Sequence, residues 1–148
     1  MRRAFAAFAL AAVVALAVAA TGSAASRATV STRHGKLGTF LVGSKGMTLY
    51  LFEKDKTSKS TCSGQCATFW PPLLTSGKPK ASGKAKSSLL GTTKRSDGKL
   101  QVTYKGHPVY YFIQDKKAGD TKGEGVDGFG AEWYMLAPSG KKIDEDDD

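Results

Sequence analysis

Cysteine and histidine are nearly missing from this chain, with two of each in 148 residues. A tetrahedral zinc centre would need all four, Cys62, Cys66, His34 and His107, and only the cysteines are close in sequence. Structural zinc sites instead show ligand pairs at short spacing on both sides. The cysteines are spaced C-x3-C rather than C-x-x-C, and no histidine follows them to make a haem-attachment motif. No Gly-x-Ser-x-Gly is present, so no acid–base assignment emerges and the reading is non-enzymatic. An enzyme would need Tyr50 or Tyr110 in a pocket beside a carboxylate or His107. The glycines of 119–130 are not followed by Gly-Lys-Ser/Thr, which removes the phosphate-loop reading. Asp115, Asp120, Glu124 and Asp127 lie in the same region without the Asp-x-Asp-x-Asp-Gly spacing of a calcium loop, and read as solvated turns. No cofactor or metal is predicted.

Long apolar runs are also absent beyond the N-terminus. Arg2 and Arg3 precede an apolar stretch from Ala4 to Ala20 and the small residues Thr21 to Ala25. That order predicts a secretory signal peptide over 1–25, with cleavage after Ala20, Ala24 or Ala25. The run is alanine-rich and short of the roughly 20 strongly apolar residues a membrane anchor needs. No cysteine follows it to take a lipid, so a secreted, soluble protein is expected. An exported pair of cysteines usually bridges, and Cys62–Cys66 is predicted to be a disulfide, with a redox-active pair as the alternative.

Charge is unevenly placed. After export twenty basic residues remain, and five of the thirteen acids sit in the terminal run Asp144 to Asp148, leaving eight acids in the body. A basic field outside the cell points to anionic cell-wall polymer, polysaccharide or a membrane surface rather than nucleic acid. The acidic tail, 141–148, is expected to be disordered.

What the chain does have is a repeated stretch. GTFLVGSKGMTLYLFEKD at 38–55 and GKLQVTYKGHPVYYFIQD at 98–115 align without a gap, sixty positions apart. Seven positions are identical: Gly38/Gly98, Val42/Val102, Lys45/Lys105, Gly46/Gly106, Tyr50/Tyr110, Phe52/Phe112 and Asp55/Asp115. Each copy reads as a strand, a glycine-containing turn and a second strand, which is a β-hairpin. The second strands, 47–53 and 109–114, are apolar on both faces, so both are expected to be central and covered on each side. Asp55 and Asp115 are expected to bond backbone N–H groups just beyond the strand and stop it.

Residues 26–36 are polar and read as a linker. Between the copies, Ser63 to Trp70 predicts a short helix ended by Pro71-Pro72, and the Gly/Ser/Lys-rich run 76–88 predicts an exposed loop. Phe69-Trp70 and Trp133-Tyr134 give both halves an aromatic end, with Trp70, Trp133 and Tyr134 as candidate surface aromatics.

The two Tyr-x-aromatic-x-x-Asp motifs, the Cys62/Cys66 pair, Trp70-Pro71-Pro72, GDTKGEG at 119–125 and Trp133-Tyr134 together resemble a bacterial secreted-repeat family, whose members are often described as predicted lipoproteins. The resemblance covers roughly 38–140 and implies tandem β-rich repeats outside the cytoplasm, with no catalytic residues to carry over. The expected architecture is a mostly β, sandwich-like single domain over 37–140, made of two repeats at about 38–75 and 98–140 with a disulfide-clipped helical insert. The expected role is a non-enzymatic binding module of the cell envelope, with an extracytoplasmic redox or metal/haem-associated accessory protein as the alternative. Tyr50, Phe52, Asp55, Tyr110, Phe112 and Asp115 are the motif positions, structural or binding.

Overall fold

A computed structural model describes residues 11–15 and 26–144. The predicted signal peptide lies outside the described residues except for 11–15, and so does the expected disordered tail beyond Asp144. The first part of that tail, 141–144, is instead held to the fold, with Ala137 N–H donating to the Lys141 carbonyl and Ile143 N–H to the Met135 carbonyl, each at 2.8 Å. The described chain opens with an antiparallel hairpin, β1 (Thr29–Gly35) on β2 (Gly38–Val42), in which Ser31 faces Val42 and Gly35 faces Gly38. Residues 26–36 are therefore not a linker. The sequence hid this strand because Val30 is its one fully buried side chain, and its regularity comes from pairing rather than from an apolar face.

Sixty positions later the same hairpin recurs as β5 (Leu90–Lys94) on β6 (Leu100–Tyr104). The structural repeat thus begins ahead of Gly38 and Gly98. In each copy the following turn uses left-handed backbone, at Lys45 (φ 57°) and Gly46 in the first and at Lys105 (φ 48°) and Gly106 in the second. Glycine adopts this conformation without the Cβ clash that makes it uncommon elsewhere.

The remaining strands are short: β3 (Tyr50–Phe52), β4 (Lys80–Ala81), β7 (His107–Pro108), β8 (Asp127–Gly128) and β9 (Ala131–Met135). They complete three three-stranded sheets, ordered β2-β1-β4, β3-β9-β8 and β5-β6-β7. β4 pairs in parallel with β1, so part of the 76–88 run is tied to the fold rather than being an exposed loop. The insert helix α1 (Gln65–Phe69) is shorter than expected, since Trp70 leaves it to lie along another segment. Cys62 and Cys66 bracket its start and form a disulfide, with Cα atoms 5.2 Å apart.

The repeats meet at one backbone exchange. Tyr50 N–H donates to the Tyr110 carbonyl at 2.8 Å, and Tyr110 N–H returns to the Tyr50 carbonyl at 3.0 Å. From this centre each second strand reaches outward to the tryptophan segment of the other repeat. β3 pairs antiparallel with β9, placing Phe52 opposite Trp133. Across the centre, Tyr111 N–H donates to the Pro71 carbonyl at 2.7 Å and Ile113 N–H to the Phe69 carbonyl at 2.9 Å. Pro71 and Pro72 have no N–H to return, so the segment expected as a strand over 109–114 pairs without becoming a regular strand there.

This crossed arrangement sorts the core into two layers. On one face Tyr50, Phe52, Tyr110, Phe112, Trp70, Trp133 and Met135 pack with the disulfide. On the other, Leu49, Leu51, Val109, Leu73, Tyr134 and Leu136 pack against Val30, Leu41, Val102 and Tyr104 from the hairpins. The two-sided apolar character of the second strands is thus realised as burial on both sides. In the first layer four rings stack in the order Phe52, Trp133, Trp70, Phe112, with centroids 4.0, 3.9 and 4.1 Å apart. The two halves contribute alternately to the stack around its central indole pair.

Candidate functional site

The structure bonds each Tyr-x4-Asp motif to the other rather than within itself. Tyr50 donates its hydroxyl to Asp115 Oδ2 at 2.6 Å, and Tyr110 donates to Asp55 Oδ2 at 2.6 Å. Strand pairing at Tyr50/Tyr110 explains the exchange, because each tyrosine points along the other repeat toward its strand-terminal carboxylate. The second oxygens tie down loops. Asp55 Oδ1 accepts from Thr61 N–H at 2.7 Å and from the Thr61 hydroxyl at 2.6 Å, and Asp115 Oδ1 accepts from Lys122 N–H at 2.9 Å. The expectation of a purely local turn bond is corrected accordingly: these carboxylates join the repeats and also hold the loops that follow.

The surroundings of the two tyrosines differ. Tyr110 shares its hydroxyl with Ser60 Oγ at 2.7 Å, and Ser60 in turn accepts from Arg95 Nη1 at 3.0 Å. Arg95 is buried and also donates to Gln101 Oε1 at 2.7 Å and the Cys62 carbonyl at 2.6 Å. Burying a guanidinium is expensive unless its donors are met, so this network anchors the disulfide loop to β6. Tyr50 instead accepts from Gly123 N–H at 3.1 Å. A Cβ at Gly123 would lie 2.7 Å from the Tyr50 ring and 2.9 Å from Trp70, so only glycine fits.

Burial raises the pKa of both tyrosines well above the ordinary value, and the hydrogen bond to a carboxylate raises each further. Burial also pushes the Asp115 carboxyl up, against the lowering effect of the Tyr50 and Lys122 hydrogen bonds. Tyr50 and Tyr110 have no exposed surface. A catalytic role would need a reachable hydroxyl, whereas these are enclosed and already bonded.

If the crossed bonds carry the energy expected of hydrogen bonds to charged acceptors, double-mutant cycles will show it. Tyr50→Phe with Asp115→Asn, and Tyr110→Phe with Asp55→Asn, are expected to couple by about 1.5–3 kcal/mol in urea unfolding. The pairs within one motif, Tyr50 with Asp55 and Tyr110 with Asp115, are expected to couple by less than about 0.5 kcal/mol. Stronger coupling inside a motif than across would contradict the crossed geometry.

Sequence reasoning misplaced the aromatics that end the two halves. Trp70, Trp133 and Tyr134 are 1%, 0% and 7% exposed, not surface groups. Their place in the central stack follows from pairing with Phe112 and Phe52, which no local pattern reveals. Among the described residues the exposed rings are Phe69 and Phe129, whose centroids are 5.8 Å apart. His34 lies exposed on β1 against Thr39, and the two cysteines are joined to each other in the disulfide. Among the described residues no three His, Cys, Asp or Glu side chains gather as a metal site.

One cleft escaped the sequence altogether. It has a volume of about 500 Å³ and opens between the Lys105-Gly106-His107 turn, residues 140–142 and the end of β3. Leu51, Phe52, Lys56, Lys105, His107, Lys141 and Lys142 are among the residues that line it. Its two carboxylates are engaged: Glu53 pairs with Lys142 at 3.1 Å, and Asp55 is held by Tyr110 and Thr61. The signal for it is a difference between repeats, since Leu51 stands where the second copy has Tyr111.

A family described as a secreted repeat of unknown function matches residues 31–74 and 91–137. The chain belongs to this family. No curated protein and no solved structure matches it. Each secreted repeat contains one motif tyrosine, one motif aspartate and one stacked tryptophan, and the matched boundaries include most of β1 and all but the first residue of β5. Extracytoplasmic placement follows from the secreted-repeat family, and no helix among the described residues is long and apolar enough to cross a membrane.

Proposed function

We propose that this secreted-repeat protein is a non-enzymatic binding module of the cell envelope whose partner is an anionic polymer. The observation that supports this most is where its carboxylates are directed. Asp55 and Asp115 bond tyrosines, Asp120 accepts from the backbone of Lys116 and Lys117, Glu132 accepts from Tyr134, and Asp97 accepts from Lys99 N–H. Lys142 is the lysine that forms ion pairs among the described residues, with Glu53 and Asp144. Among the described residues most of the basic side chains therefore have no carboxylate at ion-pair distance, which supports a field available to an external anion. The redox alternative has less to support it, because Cys62 and Cys66 are 0% and 7% exposed and exchange needs access to a sulfur.

Co-sedimentation with purified cell wall tests the reading. Binding is expected to weaken at least tenfold between about 50 mM and about 500 mM salt, as the Debye length falls from above 10 Å to below 5 Å. It should also drop when anionic polymers are stripped from the wall. Salt-insensitive binding, or equal binding to stripped wall, would refute it.

A further inference from the structure

We infer that the cleft beside the Lys105-Gly106 turn is the binding site for a phosphodiester unit of that anionic polymer, an inference that rests on the envelope-binding reading above. The repeats themselves supply the comparison. In the second copy the position equivalent to Leu51 is Tyr111, and its hydroxyl accepts from Ser44 N–H at 2.9 Å. Its ring lies so close to the first copy's turn that a Cβ on Gly43 would sit 2.4 Å from the hydroxyl. The tyrosine thus fills the space between strand and turn on that side. Leu51 is too short to do so, and the space left is the cleft of about 500 Å³. That volume falls within the ordinary range of small-ligand sites, about 300–1,000 Å³.

The walls define the chemistry. Lys56, Lys105 and Lys141 are exposed and line the cleft together with half-buried His107. Gly140 allows one of them to come in close, since a Cβ there would be 2.6 Å from Lys105 Cβ and Cδ, so the lysine stem lies flat against the glycine. Lysine ammonium groups are compact point charges of the kind that bind phosphate oxygens. The aliphatic stem of Lys105, lying against Gly140, offers apolar contact to the carbon skeleton between phosphates. An anionic chain of repeating phosphodiesters and polyol or sugar units carries both features.

Calorimetric titration of the full mature protein with a poly(glycerol phosphate) oligomer tests this, with oligogalacturonate and phosphatidylglycerol vesicles as comparison arms. Leu51→Tyr, which rebuilds the filling seen at Tyr111, and the double substitution Lys105→Gln/Lys141→Gln are each expected to weaken phosphate-oligomer binding at least tenfold. Lys94→Gln/Lys99→Gln, at the opposite end of the β5–β6 hairpin, is expected to change it less than twofold. Melting of each variant is followed in parallel, and the double lysine variant decides the matter if Leu51→Tyr does not fold. Undiminished binding by the folded cleft variants would overturn the site while leaving the envelope reading intact. Failure of the wild type to bind any anionic polymer or wall would overturn that reading itself. Tighter binding to oligogalacturonate would overturn the phosphodiester assignment, and tighter binding to vesicles would overturn the polymer as its source.

Discussion

Separated into residues 26–85 and 86–144, neither half is expected to fold as a monomer. Each half would keep its own hairpin, β1–β2 or β5–β6, but lose the strand that flanks its second segment, because β3 pairs with β9 and Tyr111 and Ile113 pair with 69–71. It would also lose half of the stack Phe52, Trp133, Trp70, Phe112. Burying a side chain of this size contributes about 1.5–3 kcal/mol, so four rings amount to roughly 6–12 kcal/mol. The net stability of a whole domain is only about 5–15 kcal/mol. Near-ultraviolet circular dichroism and amide NMR dispersion should therefore be absent from each half alone and return when the two are mixed in equal amounts. A homodimer of one half at high concentration fits the same geometry, since a second copy can supply the missing strand and stacking partners. A folded monomeric half would show that the repeats are independent units.

The same crossing explains what the sequence could and could not display. The sixty-residue offset is visible as seven identities, and the two-sided apolar pattern of 47–53 and 109–114 correctly places these segments between layers. An offset, however, is the same whether Tyr50 bonds Asp55 or Asp115, so the exchange between repeats leaves no trace in one chain. β1 was hidden for a different reason, its polar side chains being held by pairing with β2 and β4. Trp70 and Trp133 carry no periodicity that separates a buried stack from an exposed platform. The cleft depends on a single departure from the repeat, Leu51 against Tyr111, whose meaning appears only once both turns are placed in space.

Alkali is expected to unfold this protein steeply once the pH passes the ordinary tyrosine value of 10.0, because burial and a carboxylate acceptor raise both Tyr50 and Tyr110 above it. The sign follows from proton counting. Between the unfolded and the folded pKa the unfolded chain has released the phenolic protons and the native chain has kept them, so stability falls as pH rises. The contribution is fully present below pH 10 and declines through the window above it. Each such tyrosine removes about 1.4 kcal/mol for every pH unit, and two together about 2.7 kcal/mol, or roughly 5 kcal/mol by pH 12. Asp115 acts at the other end of the scale and in the opposite sense to a salt-bridged carboxylate. Its raised pKa makes the ionised form the less favourable one in the fold, so its contribution is largest below 3.8 and is lost as pH rises through the folded value. Urea unfolding from pH 9 to 12, read together with tyrosinate absorbance, measures the alkaline effect. The absorbance of the two buried phenols should appear only with loss of the fold, and Tyr110→Phe should lessen the pH slope by about 1.4 kcal/mol per pH unit. Gradual ionisation of all tyrosines with the fold intact would mean that the crossed hydroxyls are open to solvent. The carboxylate bonds between the repeats would then be far weaker than their 2.6 Å distances imply.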